Sequence, residues 1–291
     1  MTRPLPYCVE WLDAGTSSNS ADTSNSAGAT SNSNGTNSSA GTSSYSAASA
    51  AGGPAAGAVK AVVAEPPATG EVAASRSAAR HLVRLSDGSQ LSLPLVELPD
   101  GQRAVALLMS NQTSFLIERN LSERLTGLVR AVAPEAIVGV PTLGLTYARA
   151  VAGLLGLPEF VPLGHSRKFW YEDALSEVTD SSTSPGHNRR IYLDPALLSR
   201  VQGRRVAVVD DVLNTGNTMV AVLRLLRTAG AEVVRIAAVL TEGWMWRAAL
   251  TRFDPAAAGL VRALGHIPIF GRTLDGWAPL PQTAADHRPV C

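Results

Sequence analysis

Apolar and polar positions follow two different periods along the C-terminal two thirds of the chain. HLVRL and QLSLPLV are short β-type runs on either side of Ser86-Asp87-Gly88-Ser89, which has the residue chemistry of a hairpin turn. Pro94 has no N–H to donate, and it predicts that the second run is an edge strand. Arg103 to Met109 predicts a buried strand. From Ser114 to Val132, the residues Ile117, Leu121, Leu125, Leu128 and Val132 make an apolar stripe at helical spacing. The period then alternates. AIVGV at Ala136 to Val140 predicts a strand, Leu145 to Leu155 a helix closed by Gly156, and EFVPL at Glu159 to Leu163 a short strand. Pro195 opens a short helix that Gly203 ends. VAVVD at Val206 to Asp210 predicts a strand, Thr218 to Thr228 a helix stopped by Gly230, and VVRIAAVL the last clear strand. Repeated strand–helix–strand units predict an α/β fold, a Rossmann-like parallel sheet with helices on both faces. Ligands of such sheets bind at the carboxyl ends of the strands.

Upstream the pattern stops. Ala14 to Gly57 is almost entirely Ser, Thr, Asn, Ala and Gly, with Tyr45 as its only large side chain. Such a segment buries too little apolar surface to offset about 1–2 kcal/mol of backbone entropy per residue. Residues 14–80 are therefore expected to be a disordered linker, 81–281 the folded unit and 282–291 a tail. Met1 to Asp13 carries Tyr7, Val9, Trp11 and Leu12, and it fits a strand docked on the main body and a loose end equally well.

Composition narrows the functional classes. A formal net charge of +1 over 291 residues lacks the basic excess of a nucleic-acid binder. Two cysteines, Cys8 and Cys291, exclude a disulfide scaffold and a multi-Cys zinc site. No apolar run reaches the roughly 20 residues needed to span a bilayer, and no signal-peptide core is present, so a cytoplasmic protein with no membrane partner is expected.

The segment carrying most chemistry is VAVVDDVLNTGNT, Val206 to Thr218. Apolar residues bring the chain through the sheet, Asp210 and Asp211 stand where it emerges, and Val212-Leu213-Asn214-Thr215-Gly216-Asn217-Thr218 turns into a helix. Free N–H groups and the positive dipole end of a helix N-terminus favour an anion such as phosphate. Gly216 permits close backbone approach, and Thr215 and Thr218 add hydroxyls. Two adjacent carboxylates repel phosphate but accept hydrogen bonds from neutral hydroxyls. Vicinal hydroxyls with a phosphate a few ångströms away describe a ribose 5-phosphate. An acidic pair at a strand end also occurs in phosphatases, receiver domains and Walker-B strands. No Gly-Lys-Ser/Thr motif accompanies this one, and its position in the chain is wrong for a receiver.

The segment resembles the phosphoribosyl-pyrophosphate (PRPP) signature of type I phosphoribosyltransferases, with Asn214 and Asn217 as mild departures. The resemblance implies a phosphoribosyltransferase core with a small hood. Asp210 and Asp211 would hold the ribose hydroxyls and, through substrate or water, a magnesium ion, while Asn214 to Thr218 would wrap the 5-phosphate. By the same resemblance, Pro141-Thr142-Leu143-Gly144 binds pyrophosphate through backbone N–H groups, in a turn that is sometimes cis; taken alone it is an ordinary strand-to-helix turn. Ser166-Arg167-Lys168 is similar to the basic segment that contacts pyrophosphate in adenine- and orotate-type enzymes, where a cation answers the charge building on the leaving group. Trp170 to Arg190 then reads as a polar lid that excludes water. Glu242, Trp244 and Phe270 are candidates for the base pocket, though such aromatic residues equally seal a subdomain. Ser110 to Thr113 offers either substrate contacts or a helix cap. The implied function is transfer of the phosphoribosyl group from PRPP to a nucleobase, most resembling the adenine-type purine salvage branch, by a homodimer. The alternative is a PRPP-sensing regulator that retains the cradle without turnover.

Overall fold

In a computed structural model of the chain, residues 9–12, 79–181 and 184–284 are described. β1 (Glu10–Leu12), β2 (Arg80–Arg84), β3 (Gln90–Glu97) and β4 (Arg103–Ala106) open an antiparallel sheet. The hairpin forms as its turn chemistry predicts: Asp87 Oδ1 accepts the Ser89 N–H at 3.1 Å, and Gly88 takes φ +88°. Pro94 does not make β3 an edge. β2 pairs along one side of β3, while β1 (through Gln90–Ser92) and β4 (through Leu95–Glu97) share the other. Pro94 stands where the partner changes from β1 to β4, so its missing N–H interrupts no ladder; its carbonyl accepts the Leu107 N–H at 2.9 Å. The strand expected through Met109 stops at Ala106.

Of the two readings for the N-terminal segment, residues 9–12 adopt the docked one. Val9 is buried, and the Arg124 guanidinium lies 4.5 Å from the centre of the Trp11 ring. The expected linker falls outside the described residues except for its last two, and β2 already begins at Arg80.

Beyond this sheet the elements alternate. α1 (Phe115–Arg130) is capped by Ser114, whose hydroxyl accepts the Ile117 N–H, and it buries Ile117, Leu121, Leu125 and Val129. β5 (Ala136–Gly139), α2 (Gly144–Leu154) and the short β6 (Val161–Pro162) follow. The stretch expected to be an irregular lid is an antiparallel hairpin, β7 (Ser176–Ser181) and β8 (Ser184–Tyr192). Its polar composition hid it, because neither strand has the apolar alternation of a sheet resting on a core. β9 (Arg205–Leu213), α3 (Asn217–Thr228), β10 (Glu232–Glu242), α4 (Met245–Phe253) and β11 (Val261–Ile267) complete the α/β unit. VVRIAAVL is thus not the last strand. After Pro268, β12 (Ile269–Thr273) and β13 (Gly276–Pro279) return to the first sheet, where β12 pairs with β4.

The central sheet has the order β11-β10-β9-β5-β6, with every pair parallel. Its strands are buried on both faces. Ala207, Val209, Ala237 and Val239 join one core with α1 and α2; Val206, Val208, Ile236 and Ala238 join the other under α3 and α4. Among the described residues, no helix is long and apolar enough to cross a membrane.

Candidate active site

The chain runs from β5 outward to β6, then crosses back to β9, β10 and β11 on the other side of β5. The winding direction reverses between β5 and β9, so the loops leaving these neighbours part and open a crevice at their carboxyl ends. The two loops that the sequence singles out are the ones that flank it.

On the β5 side, the Val140 N–H donates to Val209 O at 3.1 Å, and the Pro141–Thr142 peptide is cis. Thr142 is exposed, Leu143 half-buried, and Gly144 starts α2 fully buried. A Cβ on Gly144 would lie 2.8 Å from Asp210 Oδ1 and 2.9 Å from Asp210 Cα. The pyrophosphate-type turn and the acidic pair therefore touch, through a contact only glycine allows.

On the other side, β9 runs past the acids. Val212 and Leu213 stay in register with Leu240 and Thr241 of β10, so the strand expected to end at Asp210 continues to Leu213. Asp210 is 8% exposed and accepts the Asp211 N–H at 2.9 Å. Burial pushes the Asp210 carboxyl well above its ordinary range, and the charge of Asp211 adds to the effect. Burial also raises Asp211. No basic side chain among the described residues forms an ion pair with either acid.

The turn after β9 is held from behind by α4. Asn214 O accepts the Trp246 N–H at 3.1 Å, and Gly216, at φ +83°, lies so close that a Cβ would come 2.9 Å from Trp246 Cα. Gly216 is also the N-cap of α3. It offers no side-chain acceptor, and the first turn of α3 has no acid, so that turn is open to an external anion. The Thr179 hydroxyl of β7 bonds the Thr218 hydroxyl at 3.2 Å, which ties the hairpin to this cradle.

The remaining candidates divide. Arg167 is exposed and paired with Asp173 at 3.1 Å, while Lys168 is exposed on the segment after β6. Arg190 donates to Ser176 Oγ across the hairpin. Ser114 rather than Ser110 to Thr113 caps α1. Ser110 is buried near Tyr147, and neither hydroxyl makes a hydrogen bond among the described residues. Burial pushes Tyr147 up to about 12, so its hydroxyl keeps its proton.

Phe270 is not available to stack on a base. It is 2% exposed within the core beneath the small sheet, with the His81 ring edge-on at 4.9 Å. Trp244 is half-buried. Its ring stacks on His266 at 4.4 Å, and its indole N–H donates to Ala284 O. His266 is fixed in turn by Thr241 Oγ1 at 2.9 Å and Thr283 O at 2.8 Å. This partner is not legible in the sequence, because β11 carries no clear strand pattern of its own.

Glu242 ends β10 almost completely buried. Burial raises its carboxyl to about 7, against the opposing effect of a hydrogen bond with the Asn214 side chain. Below that pH the group is neutral; above it a negative charge appears beside the phosphate turn. On the reading proposed below, in which this turn holds a phosphate of PRPP, PRPP affinity is expected to fall about fivefold as pH rises through this range, the effect of ~1 kcal/mol of repulsion. Glu242→Gln should remove the step. Titration of PRPP affinity between pH 6 and 8.5 checks this, and an unchanged step in the variant refutes it.

Residues 111–248 match the family model described as the phosphoribosyl transferase domain. A hypoxanthine/guanine phosphoribosyltransferase of Methanococcus voltae is 32% identical over 109 residues, 38% of this chain and 54% of that protein. An adenine phosphoribosyltransferase of Novosphingobium aromaticivorans is 32% identical over 111 residues, 38% of this chain and 58% of that protein. The chain thus spans a little over half the length of these curated relatives. Among solved structures, the adenine phosphoribosyltransferase of Rhodothermus marinus is 23% identical, covering 53% of this chain and 81% of its own, with a TM-score of 0.43. The family-model match takes in α1 through β10, the part of the α/β unit that carries the crevice, so this region is similar to the phosphoribosyl transferase domain.

Proposed function

We propose that the protein transfers the 5-phosphoribosyl group from PRPP to a nitrogenous base, a purine, and releases pyrophosphate. The observation that carries this reading is the contact of Gly144 with Asp210, which joins the two loops at the switch point into one continuous wall. A ligand with phosphate at one end, diphosphate at the other and vicinal hydroxyls between fits such a wall. In this reading Asp210 and Asp211 accept the ribose hydroxyls, and the N–H groups at the start of α3 bind the 5-phosphate. The turn from Pro141 to Gly144 receives the diphosphate, and Lys168 stabilises it as it departs. Most of the rate would come from positioning. The choice of a purine is supported by the hypoxanthine/guanine and adenine enzymes among the relatives.

Magnesium suits this donor set. The acids are buried without a cationic side chain, and no cluster of three or more metal-ligating side chains occurs among the described residues. PRPP and water would hold the ion, with Asp210 and Asp211 beside it. When bound, magnesium neutralises charge on the leaving diphosphate.

Incubation with labelled PRPP, Mg²⁺ and a panel of bases is expected to yield one class of purine nucleotide and pyrophosphate. Tight PRPP binding with no nucleotide from any base would refute the transferase reading in favour of a PRPP sensor. Lys168→Ala is expected to lower kcat roughly 100-fold while changing KM for PRPP much less, since the diphosphate charge it answers grows only as the bond breaks. Steady-state kinetics with the preferred base decide this, and an unchanged kcat removes Lys168 from the reaction.

A further inference from the structure

α3 and α4 together carry Arg224, Arg227, Arg247 and Arg252 and not one acidic residue. None of the four has a carboxylate within ion-pairing distance among the described residues, whereas Arg103, Arg124, Arg167, Arg200 and Arg272 are each paired with an acid elsewhere on the fold. Three of them lie over rings instead, Arg224 6.0 Å and Arg227 4.7 Å from the centre of Phe253 and Arg247 5.8 Å from that of Trp244, so the positive charge of α3 and α4 is not neutralised by acids.

The face is also concave. One helical stripe of α3 (Val220, Ala221, Arg224) meets one stripe of α4 (Ala249, Arg252, Phe253), and the groove between them has a volume of about 330 Å³. It is lined by the aliphatic side chains Val220, Ala221 and Ala249, by Phe253, and by the exposed Arg224 and Arg252. That volume lies at the small-ligand end of the range for binding pockets. Two cations lining one groove call for a dianion, which a phosphate monoester supplies near neutral pH and a single carboxylate does not. An apolar floor with room beyond the arginines calls for a flat, weakly polar body attached to that phosphate.

We propose that this groove binds an aromatic phosphate monoester of nucleoside monophosphate size, at a place separate from the PRPP crevice. Asn217, the first residue of α3, lines one end of the groove, and Val178 of β7 lines its wall. A ligand there touches both the helix that cradles phosphate and the hairpin tied to it through Thr179 and Thr218. The inference stands on the groove and its charges and does not require the reaction proposed above.

The test is calorimetric titration of the full-length protein with AMP while PRPP and Mg²⁺ are saturating. One AMP per chain is expected to bind under these conditions. The double variant Arg224→Gln, Arg252→Gln should weaken it at least tenfold with PRPP affinity unchanged, and circular dichroism should verify its fold. Adenosine and inorganic phosphate should each bind at least tenfold more weakly than AMP. Complete displacement of AMP by PRPP, absence of AMP binding, or wild-type affinity in the double variant would each overturn the proposal. So would phosphate alone binding as tightly as AMP. If PRPP itself fails to bind, the transferase reading falls while the comparison of AMP affinity between wild type and variant still decides the groove.

Discussion

Gly144→Ala is expected to weaken PRPP binding roughly a hundredfold in a protein that still folds. The added methyl would stand 2.8 Å from Asp210 Oδ1, 2.9 Å from Asp210 Cα and 3.1 Å from Val209 O. Two of these neighbours are backbone atoms of a central strand paired on both sides, so the neighbours cannot swing away. The start of α2 must move instead, carrying the turn from Pro141 to Leu143 off the acids by a good fraction of an ångström. Overpacking of this kind costs about 1–3 kcal/mol of stability, which a domain of this size survives. Gly153→Ala is the control. It lies in the same helix, nothing comes within 4 Å of its Cβ position, and alanine there should be neutral or stabilising by up to ~1 kcal/mol. Calorimetry with PRPP and Mg²⁺ on both variants decides the matter. Equal affinity in Gly144→Ala would show that the two loops do not act as one wall.

This contact also marks how far the sequence could be read. The acidic pair and the Thr-Gly-Asn-Thr turn are local: residue types, their order and a following helix are enough to imply a phosphate with hydroxyls nearby. Alternation of period gave the parallel sheet, because strands buried on both faces are written as apolar runs. What the chain could not reveal is adjacency. Nothing in PTLG says that its glycine will pack on Asp210, 66 positions later, or that Trp246 will close behind Gly216. Phe270 was offered for base stacking on the strength of its ring alone, and only the return of β12 beside β4 shows that the ring belongs to a core. Pro94 misled for a similar reason: a missing donor predicts an edge only where the partner on that side is continuous. The hairpin β7–β8 escaped because its polar strands form a ladder against each other rather than a face on the core.

Asp210→Asn is expected to abolish PRPP binding and at the same time make the ligand-free protein more stable at neutral pH. The sign follows from the raised carboxyl. In the unfolded chain Asp210 ionises near 3.8, whereas in the fold burial and the neighbouring Asp211 hold its proton to much higher pH. Between these limits the unfolded state releases a proton that the folded state keeps, so the contribution of Asp210 to stability is greatest below the lower limit. It declines as pH rises, until the folded carboxyl also ionises. Asparagine carries no such charge, and its side-chain oxygen still accepts the Asp211 N–H that Asp210 Oδ1 accepts now. The variant should therefore melt above wild type at pH 7 and approach it near pH 4, each ~1 kcal/mol recovered being worth about 2–4 °C. In the proposed reading its amide would nonetheless present a donor and no charge where the ribose hydroxyls call for a carboxylate. Asp211→Ala should lose PRPP with a smaller gain in melting temperature, because Asp211 is the less buried of the two. A folded Asp210→Asn protein that binds PRPP as wild type does would refute the ribose role of the pair. One that melts below wild type at neutral pH would show that the buried charge is stabilised in the free protein by something other than the ligand, and that the site is not built at the expense of the fold.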